Sequence, residues 1–321
     1  GHQPVQLSDN RPADSPRKVT VPLPAKPSRL PVEWRSRISR DCNRPELAYA
    51  ADPGTVIEDA VTLYNYSNEQ LIFRVYATDA FNTEDGNFDL LPGKDTPVDV
   101  GSWVEVAQEN ITVEPGRQVT IPITITVPPQ ATPGDHVGAV VASSPTPGVG
   151  ENGEQVLLDR RTGTRLYLRV NGPLTPRLDV TAVDTTYHQA ANPLAGSATV
   201  QVRVENRGNV RIAGTGSVSV EGPFGLGGNS VPIPDIPELL PGSAMTFVVD
   251  VDDVPAFFVA TTSVRVVPAG DAVTDAEAGE GSDTSFAPPI GALLLVLAVV
   301  LGWLAVRRIR RHRSAAPGGP V

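Results

Sequence analysis

Cysteine is nearly missing from this chain: Cys42 stands alone among 321 residues, so no disulfide can close within it. Histidine is scarce as well. His2, His136, His188 and His312 are scattered, without the spacing of metal ligands. No Gly-x-Ser-x-Gly elbow, phosphate-binding loop or dinucleotide fingerprint occurs, and Cys42 has no nearby base in sequence. These absences point away from an enzyme and from a bound cofactor. Basic charge is also lacking: residues 45–306 hold 32 acids against 12 Lys and Arg, which excludes nucleic acid as a partner. Aromatics are only 5% of the chain, few for a sugar-binding surface, and long helix-forming runs are absent outside one segment.

What is present is punctuation, with 32 Pro and 29 Gly separating short alternating segments. Period-2 patterns predict a first strand at "LPVEW" around Trp34, then strands near 56–65, 70–79, 102–106, 109–113, 117–127, 136–143 and 163–170. After "NGPLTPRLDV" a second set falls near 177–187, 197–206, 210–220, 244–251 and 258–267. This density of strands is that of β-sandwiches. Two phrases recur in order: an Asn corner (Asn65 with Asn68, Asn206 with Asn209), then Pro-Gly and an alternating run from Pro115 and from Pro241. Asn tolerates left-handed backbone and bonds its own turn, so these asparagines are read as structural. The repeat implies one sandwich topology used twice.

The apolar segment "FAPPIGALLLVLAVVLGWLAV" (286–306) would span about 30 Å as a helix, the thickness of a bilayer core. Five arginines follow with no acid, so the tail is expected in the cytoplasm and the preceding domains outside. That orientation calls for an export signal, so the chain is read as a fragment or processed form. No Leu-Pro-x-Thr-Gly precedes the segment, so it is expected to stay in the membrane as an anchor. The expected fold is therefore all-β, two tandem immunoglobulin-like β-sandwich domains followed by a single C-terminal transmembrane helix. The expected division is 1–30 disordered or a misread start, 31–172 first sandwich, 173–269 second sandwich, 270–285 acidic linker, 286–306 membrane helix and 307–321 basic tail.

Irregular polar segments on a rigid sheet are where binding residues gather. The excursion "DAFNTEDGNFDLLPGKDTPVDVGSW" contains Phe81, Asn82, Asp85, Phe88 and Trp103, with an Asp85-Gly86 hairpin turn. With the Asp135–His136 turn, these are the glycan-binding candidates. Trp103 is also read as opening a half-buried strand, and His136 as a strand-edge residue. Asp79, Glu84, Asp85 and Asp89 form a loose calcium alternative that fails the EF-hand order. In the second unit "EGPFGLGG" offers Phe224 and Leu226 as an apolar tip for a partner.

From about Trp34 to Gly172 the chain resembles the peptidoglycan-binding domain of the WxL-interacting proteins of bacterial surfaces, here with an Arg-rich composition of actinobacterial type. The resemblance rests on "DPGTVIEDAVTLYNYSNEQLIFRVYATDAFNTEDGNFDLL", "DVGSWV", "VEPGRQVTIPITITVPPQATPGDHVGAVVAS" and "GTRLYLRV". It implies peptidoglycan binding by the first domain and a WxL-type or other surface protein as partner of the second. The second unit looks like a generic bacterial Ig-like domain. Two alternatives stay open: a passive surface stalk or scaffold for a protein partner, and an accessory domain of a secreted glycosidase.

Overall fold

The computed structural model describes residues 32–37, 46–149, 155–190, 192, 195–270 and 277–313. The expectations for residues 1–30, for Cys42 and for the last eight residues of the tail lie outside these.

The first sandwich contains ten strands and one helical turn: β1 (Val32–Arg37), β2 (Glu46–Ala51), β3 (Val56–Asn65), β4 (Leu71–Asn82), β5 (Phe88–Leu90), α1 (Val100–Trp103), β6 (Val104–Val106), β7 (Asn110–Val113), β8 (Gln118–Thr126), β9 (Gly134–Val149) and β10 (Gln155–Val170). One sheet runs β1-β3-β8-β6; the other runs β2-β10-β9-β4, with β5 and β7 also on β4. Alternation places Val61 and Leu63 of β3 and Ile121, Ile123 and Ile125 of β8 inward from one sheet. Phe73, Val75, Val140, Leu166 and Leu168 meet them from the other. Pairing of β9 with β10 extends from Gly134–Val170 out to Val149–Gln155, so both strands run beyond the expected limits at 143 and 163.

The second sandwich contains β11 (Leu178–His188), β12 (Gly196–Asn206), β13 (Ile212–Glu221), β14 (Gly228–Pro232), β15 (Ile236–Leu239), β16 (Ala244–Val254), β17 (Phe258–Ala269) and β18 (Gly279–Ala287). Its sheets are β11-β12-β16 and β14-β13-β17-β18, with β15 on β13. The acidic segment expected as a linker is thus strand from Gly279 onward, paired with β17 from Val266 to Phe258. Its small residues have a packing reason. A side chain on Gly281 would meet Val180 Cγ1 at 2.5 Å, and Asp283 accepts the Thr185 N–H at 2.9 Å. Phe286, expected to begin the membrane helix, instead pairs with Val259.

Helix α2 (Ile290–Arg313) follows after Pro288 and Pro289. Among the described residues no helix is long and apolar enough to cross a membrane.

The repeated sequence phrases meet in space. Asn65 is buried, and its amide donates to the Glu69 and Val113 carbonyls, both at 2.8 Å, while Oδ1 accepts the Ser67 N–H at 3.0 Å. Its backbone pairs with the Pro-Gly turn, through Asn65 N–H to Arg117 O and Gly116 N–H to Asn65 O. Asn206 repeats this: its amide donates to Val210 O and Leu239 O at 2.8 Å, Oδ1 accepts the Gly208 N–H at 3.0 Å, and its backbone pairs with Gly242 and Ser243. Each asparagine therefore clasps its own corner, the strand opposite and the Pro-Gly turn. We expect Asn206→Ala, which takes a hydrogen-bond partner from two buried carbonyls and from the Gly208 N–H, to destabilise the second sandwich by about 3 kcal/mol. Denaturant unfolding of the purified chain would measure the loss.

Candidate functional site

Two places in the first sandwich gather the residues singled out from sequence. The first is its junction with the second sandwich. Asp135 opens β9 with a side chain only 7% exposed. Arg169 of the neighbouring β10 donates to it twice, Nε to Oδ1 at 2.6 Å and Nη2 to Oδ2 at 2.8 Å. From the second sandwich the Arg211 N–H donates to Oδ2 at 2.9 Å, and the Arg211 guanidinium lies 4.1 Å from the centre of the Tyr167 ring. The Asp135 N–H in turn donates to Asn209 O at 2.8 Å. Asn209 acts as a staple: its amide donates to Pro133 O and Pro173 O, and Oδ1 accepts the Thr175 N–H at 2.7 Å. The contact is so close that a Cβ on Gly134 would lie 2.1 Å from Asn209 O.

The β4–β5 hairpin supplies the other half of the junction. Gly86 turns it with φ +80°, at the turn expected from Asp85-Gly86. Asn82 donates to Glu238 O at 3.1 Å and accepts the Leu240 N–H at 2.8 Å, and Glu84 O accepts the Thr246 N–H at 2.8 Å. Leu240 is buried with Val137 and Tyr167, and Phe88 packs beside them. Asn82, Phe88 and Asp135, expected on a glycan surface, are thus committed to holding two domains together.

The second place is a groove of about 850 Å³ on the flank of the first sandwich, whose lining includes Arg74, Tyr76, Asp95, Trp103, Glu105 and Glu109. Asp79 builds it. The buried carboxylate accepts backbone N–H groups from Val98, Asp99 and Gly101 at 2.6–2.8 Å. These bonds satisfy the free amides at the start of α1 and fold the excursion back onto β4. Gly101 is required by proximity, since its Cβ would lie 2.6 Å from the Thr78 backbone. Trp103 therefore closes a helical turn rather than opening a strand. Its ring stands 4.6 Å from that of His136, tilted by 50°. Tyr76 Oη is buried beneath Gly93 and has no hydrogen-bond partner among the described residues.

His136 is buried under Trp103, bonded through Nδ1 to Asp99 Oδ1 at 2.6 Å and through Nε2 to Thr132 O at 2.9 Å. Burial lowers the imidazolium pKa, but the bonds to Asp99 and Thr132 and the charges of Asp99 and Asp135 outweigh it, and the net shift is upward. Phe81 lies half-buried on β4 opposite Asp89, and Asp85 is exposed at the hairpin tip. The calcium alternative is not assembled. Among the described residues no three His, Cys, Asp or Glu side chains come together as metal ligands, and both Asp79 oxygens already accept amides. Phe224 and Leu226 sit apart from both places, exposed at the far end of the second sandwich.

No family model matches the chain, and no curated protein matches it. Among solved structures, a chaperone–tip adhesin complex of CFA/I fimbriae is 12% identical over 74% of this chain and 95% of that one, with a TM-score of 0.37. A class 5 fimbrial chaperone is 13% identical over 78% and 99%, with a TM-score of 0.35. The chaperone–tip adhesin pre-assembly complex of archaic pili from Acinetobacter baumannii is 13% identical over 74% and 95%, with a TM-score of 0.36. Likenesses this distant carry no argument about what this chain binds.

Two predictions follow from the geometry. Asp135→Ala leaves the Arg169 guanidinium and Arg211 N–H without their shared acceptor, and we expect about 3 kcal/mol lost from the junction. The measurable result is faster tryptic cleavage at Arg177 and a broader small-angle scattering distance distribution. The second concerns pH. Since the folded His136 pKa is raised above its ordinary 6.5, its ion pair contributes fully below that value, and the contribution fades as pH rises through the folded pKa. Stability of the wild-type first sandwich should fall over that window, and His136→Gln should flatten the profile.

Proposed function

We propose that the chain is a membrane-anchored module of a bacterial surface that binds peptidoglycan in the Tyr76–Trp103 groove of its first sandwich. The observation that carries this reading is the groove itself. It combines aromatic side chains, carboxylates and one arginine along an open trough, with a buried phenol in its wall that has no partner among the described residues. Sugars are bound by apolar ring faces together with a few polar groups that bond hydroxyls, and the stem peptides of the wall carry both amines and carboxylates. The resemblance of 34–172 to a peptidoglycan-binding domain supports the same reading, with the Asp79-anchored excursion as its local basis. The uncharged run 290–306 and the arginines after it support an anchor with the sandwiches outside.

A second reading is favoured by the junction: a spacer that holds a protein partner at a fixed distance and angle from the membrane. Sedimentation with insoluble peptidoglycan separates the two. The soluble form should end after Pro289, because cutting at 285 would remove the end of β18 and the buried Ala287. We expect Trp103→Ala and the Glu105→Gln/Glu109→Gln pair each to weaken retention about tenfold, or ~1.4 kcal/mol. Asp85→Ala, away from the groove, should leave retention unchanged. No retention of the wild type would remove the glycan reading and leave the spacer.

A further inference from the structure

The second sandwich has two distinct ends. The first sandwich occupies one of them, where β11 begins, β12 ends, β13 begins and β16 begins. At the opposite end lie the β13–β14 turn, the β16–β17 turn and the close of β18. There Gln189 donates to Pro288 O at 2.9 Å, tying the end of β11 to the entry of α2. The chain therefore leaves toward its apolar helix from the end that faces away from the first sandwich.

That end carries unburied hydrophobic side chains. Phe224 is fully exposed at the β13–β14 turn with φ +61°, and Leu226 beside it is exposed as well. Phe258 is half exposed with φ +70°. Val259 and Phe286 stand opposite each other in the β17–β18 pair, both exposed. They share one end of the sandwich: a Cβ on Gly222 would meet the Phe257 ring at 2.5 Å, so the turn bearing Phe224 packs beside the start of β17, where Val259 pairs with Phe286. Two phenylalanines held at positive φ are unfavourable locally, by about 1 kcal/mol or more each, and Phe224 buries nothing in return. Glycine would relieve the strain, and the same turn already uses Gly225 and Gly227 at positive φ.

We propose that Phe224, Leu226, Phe258, Val259 and Phe286 form an apolar collar that enters the interfacial layer of the lipid bilayer around the entry of α2. The proposal rests on the membrane-anchored reading. Only two residues, Pro288 and Pro289, separate the buried Ala287 of β18 from the helix, so a spanning α2 brings this end of the sandwich onto the bilayer surface. Aromatic rings favour that interface, and burying them there removes apolar area from water. The collar fixes the sandwich upright, as a second attachment beside the helix.

Spin-label accessibility on the full chain in phosphatidylcholine vesicles tests this. Cys42→Ser removes the native thiol, and single cysteines are placed by Phe224→Cys, Leu297→Cys and Ile72→Cys, the last an exposed reference on the first sandwich. The expected result is a several-fold loss of nickel-chelate collisions relative to oxygen at 224 and at 297, and none at 72. Protection at 297 with 224 as open as 72 would overturn the collar while keeping the membrane span, and leave the tip to a protein partner. A water-exposed 297 would overturn the span and the collar together. Phe224→Gly gives a second check. It should keep or raise the melting temperature of the second sandwich and loosen the ectodomain on vesicles, whereas a lowered melting temperature would assign Phe224 to its own domain's packing and refute the collar.

Discussion

The carboxylate of Asp135 governs how this molecule is put together. It accepts a two-pronged bond from Arg169 within its own sandwich and a backbone N–H from the next, with almost no contact with water. A buried ion pair is a weak source of net stability compared with an apolar contact of the same shape, but it strongly disfavours arrangements that leave the charge unpaired. A purely greasy junction could slide, whereas this one is satisfied in a single register. Asn209 and Asn82 add directional bonds on either side of it, and Leu240 closes over Tyr167. Two sandwiches joined in this way behave as one body with a defined top and base.

The local physics of the strands was readable from the residues, and the junction was not. Alternation located ten of the longer strands because each has one face in a core, and the Asn–Pro-Gly repeat announced two copies of one topology. In the sequence Asn65 pairs with Asn68 and Asn206 with Asn209. In the structure Asn65 and Asn206 alone make the clasp, and Asn209 serves the junction. Nothing local distinguishes a carboxylate awaiting a ligand from one awaiting an arginine 76 residues further along. Both call for a polar, irregular segment on a rigid sheet, and by that shared signal Asp135 and Asn82 stand out in the sequence while their partners across the junction do not.

Strand β18 escaped for another reason. "GEGSDTS" reads as a solvated linker because it is small and acidic, yet small residues are what a strand needs when β11 lies directly across it. Trp103 shows the reverse case. Its importance was legible, but its position depends on Asp79 gathering three amides from residues 19 to 22 further on, a fold-back that no periodicity encodes. The groove exists because of that carboxylate, and Tyr76 gains its place in it from a strand already predicted.

Charge decides how such a body can meet a membrane. With 32 acids against 12 basic residues over 45–306, the domains gain nothing from anionic headgroups. The charged residues that flank the collar in sequence, Glu221, Asp252, Asp253 and Asp283, are all acids. In the proposed membrane attachment, attraction at the base would be apolar, a role that exposed phenylalanines can fill. The arginines lie beyond Val306, at the far end of α2 from the sandwiches, where in the proposed anchor they would resist withdrawal through a bilayer. On the membrane-anchored reading proposed above, acid above, aromatic at the interface and arginine below would give the chain one orientation, which the junction at Asp135 would carry outward to the Trp103 groove.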